Sequence, residues 1–73
     1  MRGFTYVGYI KHMENGKEKE QFSLYQRGKK VYMFSIDSEY RPVEKVRVFE
    51  TTKDVEDYVK FTPNTKGFLT WVI

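Results

Sequence analysis

The side chains in this sequence that could do chemistry are one histidine, His12, two groups of carboxylates, and a set of tyrosines beside basic residues. Nucleophilic catalysis needs a serine or cysteine, a base, and a group that orients the base. The chain has no cysteine. Nothing brings a serine to His12, which reads as an exposed histidine at the end of a strand. Glu18 and Glu20 alternate along a strand beside lysines. Asp54, Glu56 and Asp57 fall in the first turns of a helix, where acids interact favourably with the helix dipole. Both groups read as solvated faces rather than as acid–base pairs. Metal-ligand spacing is absent. Gly3, Gly8, Gly16, Gly28 and Gly67 stand singly, in turns or strand interiors, and form no phosphate-cradling loop. The expectation is a protein that is not an enzyme, with no cofactor and no metal.

The tyrosines and cations remain. Tyr6, Tyr25 and Tyr32, with Arg27, Lys29 and Lys30, form the candidate binding surface. Rings that stack bases, beside cations that meet phosphates, are the parts of a single-stranded nucleic-acid platform. The signal has low specificity. Tyr25-Gln26-Arg27-Gly28-Lys29-Lys30 is not a ribonucleoprotein motif, and two lysines after a glycine also make an ordinary solvated turn.

The elements that must position these residues start with a hairpin. Asn15-Gly16 supplies the positive φ that a type I′ turn needs at both central positions. Strand-forming runs flank it, one over residues 3–13 and one centred on Gln21-Phe22-Ser23-Leu24-Tyr25. A two-residue loop fixes the register: Glu14 opposite Lys17, Lys11 opposite Glu20, Tyr9 opposite Phe22, Val7 opposite Leu24, and Tyr6 opposite Tyr25. Arg27-Gly28-Lys29-Lys30 is a second bend, with Gly28 suited to the first central position of a type II′ turn. A third strand covers 31–36, a loop with Pro42 follows, and a fourth strand covers 43–49.

Thr51 or Thr52 is the expected N-cap of one short helix near residues 52–61. Val55, Tyr58 and Val59 make its apolar stripe, Glu56 and Lys60 pair one turn apart, and Pro63 ends it. Asn64-Thr65-Lys66-Gly67 reads as a turn. The run from Phe68 to Ile73 is apolar on both faces, so it predicts a fifth strand inside the sheet, parallel to the fourth through a crossover, or else an edge strand completed by a second chain. The fold class is therefore α+β: an antiparallel hairpin or meander of about four strands, one helix, and a C-terminal fifth strand. Gly8 inside the first strand marks a bulge or a close approach of backbone.

Length and charge bound the rest. The 73 residues make a single domain, 1–73, with a small core. No stretch approaches the roughly 20 apolar residues of a membrane span. Met1-Arg2-Gly3-Phe4 lacks the apolar run of a secretory signal. A cytoplasmic protein with no membrane partner is expected. The net charge of +3 permits contact with nucleic acid without demanding it, because acids are interspersed.

The register predicts two apolar faces. Val7, Tyr9, Phe22, Leu24, Val31 and Met33 share one. Phe4, Tyr6, Ile10, Tyr25, Tyr32, Phe34 and Ile36 share the other, with Gly8, Ser23 and Arg27 among them. One ten-residue helix cannot cover both. Either the sheet curls into a small barrel, or one face meets a partner. The expected function is a small protein-interaction module, binding another protein or a second copy of itself through the aromatic face or a strand edge. The alternative is a small basic single-stranded nucleic-acid-binding domain.

Overall fold

The computed structural model describes residues 2–61 and 66–72. Their elements are β1 (Thr5–Glu14), β2 (Lys17–Arg27), β3 (Lys30–Ile36), β4 (Pro42–Phe49), α1 (Thr52–Phe61) and β5 (Lys66–Trp71). They form one antiparallel sheet in the order β4-β3-β2-β1-β5, with α1 against one side. The sheet stays open, with β4 and β5 as its outer strands.

The turns follow from local chemistry. Asn15 and Gly16 both take positive φ, 53° and 76°, as a type I′ turn requires. Gly28 takes φ 63° at the first central position between β2 and β3, the sign that a type II′ turn needs there. At the start of α1 the Thr51 hydroxyl accepts a hydrogen bond from the Asp54 N–H at 3.3 Å, so Thr51 is the cap and relieves one orphan donor of the first turn. The helix ends at Phe61. Pro63, expected to end it, lies outside the described residues. Lys60 sits over the Phe61 ring, with its ammonium 5.3 Å from the centroid.

The hairpin register holds at both ends and shifts in the middle. Tyr6 pairs with Tyr25 and Glu14 with Lys17, but between them Gly8 pairs with Leu24, Tyr9 with Ser23, Ile10 with Phe22 and Lys11 with Gln21. Val7 is the extra residue of a bulge in β1, and Lys19 of one in β2. Each bulge sets two residues against one and re-aims the side chains beyond it. Tyr9 and Ile10 therefore exchange the faces expected of them. Ile10 is fully buried under the helix, with Leu24, Val31 and Val55. Tyr9 moves to the opposite face. Lys11 meets Glu18 at 3.8 Å, not Glu20.

The fifth strand also differs from expectation. β5 is antiparallel to β1 and lies at the sheet edge, with three strands between it and β4. It begins at Lys66, so Lys66 and Gly67 belong to the strand and not to a turn, whereas Asn64 and Thr65 lie outside the described residues. Two features account for the placement. Val55 must reach the centre of the sheet to bury its side chain, which carries the chain back across the meander. Gly8 then admits β5 at close range: a Cβ there would run into the carbonyl oxygen of Thr70. Leu69 and Trp71 pack on the core beside Tyr58 and Val59 of α1.

Candidate functional site

The helix covers the face that carries Ile10, Leu24 and Val31, and among the described residues no element covers the other face of the sheet. Pairing across the strands arranges this open face in rows. Tyr6, Tyr25, Tyr32 and Val48 form one row, from β1 to β4. Thr70, Tyr9, Ser23, Phe34 and Lys45 form the next, from β5 to β4. Phe68, Lys11 and Gln21 form a third. The three rows contain two lysines and no carboxylate.

The rings touch one another, edge-on in three pairs and tilted between Tyr6 and Tyr25. Phe4 meets Tyr32 at 5.0 Å between centroids and Phe34 at 6.2 Å. Tyr25 meets Phe34 at 5.5 Å and Tyr6 at 5.6 Å. Contacts of this kind add about 0.5–1.5 kcal/mol each beyond area burial, so the rings support one another as well as the surface. Tyr6 remains 40% exposed. Partial burial raises its phenol pKa, and the charges that would form on Tyr9 and Tyr25 push the same way. The Tyr6 hydroxyl therefore stays protonated through neutral pH.

All six residues singled out in the sequence meet at one end of this face. Tyr6, Tyr25 and Tyr32 stand side by side, and Arg27 and Lys30 pair in the final rung of β2 and β3, with Lys29 in the turn between them. The Arg27 guanidinium lies 5.5 Å from the Phe4 ring centroid, within cation–π range. The Lys30 ammonium is 3.9 Å from Glu50, a contact loose and exposed enough to contribute little. Lys29 is exposed.

Other members of the site carried weaker signals. The bulge re-aimed Tyr9, whose ring lies 5.6 Å from the Lys11 ammonium. Lys45 reaches over Tyr32 at 5.8 Å from β4, where further register shifts broke the simple alternation. Tyr40 is in the β3–β4 loop and had no local pattern to announce it.

That loop is built on Asp37. Its Oδ1 accepts hydrogen bonds from the N–H of Glu39 at 2.9 Å and of Arg41 at 3.0 Å. Its Oδ2 accepts from Nε of Arg41 at 3.1 Å. The Arg41 N–H, foremost among these contacts, holds the Asp37 carboxyl below the usual carboxylate range. Arg41 also reaches Glu39 at 2.9 Å. The Tyr40 N–H closes a turn onto the Asp37 carbonyl at 3.0 Å. Tyr40 is left at φ 63°, a left-handed conformation that costs a residue with a Cβ about 1–2 kcal/mol. Beside it is a depression of about 280 Å³ lined by Tyr6, Gln21, Ser23, Tyr25 and Tyr40.

His12 lies elsewhere. It pairs with Glu20 and meets the Phe22 ring edge-on at 5.2 Å, on the helix side of the sheet. Among the described residues no group of histidines and carboxylates could hold a metal ion, and no helix is long and apolar enough to cross a membrane. In comparisons with known proteins, the chain matches no family model, no curated protein and no solved structure.

Proposed function

We propose that this chain is a non-enzymatic, cytoplasmic binding module that works through its open sheet face, and that the partner it takes there is single-stranded nucleic acid. The observation that carries this reading is the row Tyr6–Tyr25–Tyr32 running into Arg27, Lys29 and Lys30 at one end of the sheet. Rings offer a stacking surface to any base, and cations beside them meet the backbone. A second copy, or a basic protein, would bring like charges to this face, whereas a polyanion complements it.

Titration with a short single-stranded oligonucleotide in low salt tests the reading. Binding is expected in the micromolar range or tighter, weakening steeply as salt rises. Tyr25→Ala should cost roughly 1–3 kcal/mol of that affinity. Absence of binding at tens of micromolar, an order-of-magnitude threshold for non-specific strength, would end it.

A protein-interaction module is the second reading, and its supporting observation is β5. This strand is at the sheet edge with Phe68 59% exposed. An edge of this kind can accept a strand from another protein or from a second copy.

A further inference from the structure

Tyr40 combines two features that do not serve the fold. It is 66% exposed, so it adds little to the core, and it occupies a left-handed backbone position that glycine or asparagine would fill without strain. Strain of this kind persists only where the surroundings over-determine it. Here they do: one carboxylate, Asp37, gathers the N–H groups of Glu39 and Arg41 and the guanidinium of Arg41, and the Tyr40 N–H returns to the Asp37 carbonyl. The loop holds Tyr40 in the wall of the depression, which Ser23, only 3% exposed, lines together with Gln21, Tyr6 and Tyr25.

The shape and chemistry of that depression are narrow. A volume of about 280 Å³ lies at the small end of ligand sites, suited to one planar ring system and not to a whole cofactor. The rings of Tyr6, Tyr25 and Tyr40 offer stacking surfaces. The Gln21 amide offers both donors and an acceptor, and the Ser23 hydroxyl can do either. The adjoining rows carry Lys11 and Lys45 and no carboxylate. Lys11 is shared with Glu18 at 3.8 Å, at the margin.

We infer that this depression is a base-binding subsite, in which Tyr40 and the Tyr6–Tyr25 pair hold one nucleobase of a single strand while Gln21 and Ser23 address its polar edge. The inference rests on the nucleic-acid reading of the open face and adds a discrete position to it.

The test compares oligothymidylate, an abasic strand of the same length, and thymidine monophosphate, on the full chain. Wild-type protein should bind oligothymidylate more tightly than the abasic strand, and the mononucleotide weakly. Tyr40→Gly should lose at least about fivefold on oligothymidylate, the lower end for a stacking ring, and stay unchanged on the abasic strand. Its melting temperature should equal or exceed that of the wild type. Tyr40→Asn, also tolerant of this backbone, should repeat the loss, and Tyr40→Phe should restore wild-type affinity.

If wild-type protein binds oligothymidylate and Tyr40→Gly binds it equally well, the subsite is overturned and the open-face reading survives. Equal binding of the abasic strand by wild-type protein also overturns it, leaving phosphate contact alone. Tighter binding of the mononucleotide than of the strand overturns the assignment to a polymer. No binding to either strand removes the nucleic-acid reading itself, and the subsite with it.

Discussion

At the scale of single residues, Asp37 does more than its place in a surface loop suggests. Its carboxylate is the centre of the β3–β4 loop, and the N–H of Arg41 and the other donors around it favour the ionised form. A carboxyl whose pKa is lower folded than unfolded stabilises the fold above its unfolded value and loses that contribution as pH falls through its folded value. Asp37→Asn should therefore melt below the wild type at neutral pH. The gap should narrow below about pH 4, the ordinary aspartate range, and close once Asp37 is protonated. Thermal melts of both proteins between neutral and strongly acidic pH would check this, and a gap that stays constant with pH would refute it. Sequence alone places Asp37 only in the loop that leads to Pro42. Its role depends on Arg41 four positions later and on the backbone fold between them, which no pattern of residue types announces.

At the scale of elements, much of the fold was legible because turns and caps are local. Asn15-Gly16, Gly28 and Thr51 each name a backbone conformation by residue type, and each bend and the helix start fall where those residues put them. The three tyrosines of the candidate surface were legible for a related reason: both bulges lie between Tyr6 and the turn, and their offsets cancel before Tyr6 is reached. What lies between the bulges was not legible, because one extra residue inverts a strand and no composition marks it. The place of β5 was hidden as well, since it depends on a pairing between residues about sixty positions apart. The one hint was Gly8, whose missing Cβ leaves room for the Thr70 carbonyl. Gly8→Ala should push β5 off β1, with a cost of about 1–3 kcal/mol as for other overpacked sites. Its signature should be a lower denaturant midpoint together with faster amide exchange in β5 than in β2 and β3. Uniform exchange behaviour across the sheet would show that β5 is not held through this contact.

At the scale of the whole molecule, a single helix on a five-stranded sheet divides the labour between two sides. The helix side carries the buried apolar side chains, each worth roughly 1.5–3 kcal/mol when fully removed from water, and so supplies most of the stability. The opposite side carries rings that are partly buried against one another and remain open to contact. Changes on the open side can therefore alter binding with modest effects on folding, which is why the Tyr25 and Tyr40 substitutions are informative.

The paired bulges in the first hairpin behave like an insertion in one text and a compensating insertion in its copy. Removing Val7 alone, or Lys19 alone, would throw one half of the hairpin out of phase and turn its inner side chains toward water. Removing both would leave an uninterrupted ladder in which every pairing now seen between Tyr6 and Glu14 is retained. The double deletion should consequently fold better than either single one, at the cost of the methyl groups that Val7 contributes to the core. Two losses that partly cancel would be the mark of a molecule whose two sides are assigned by counting residues.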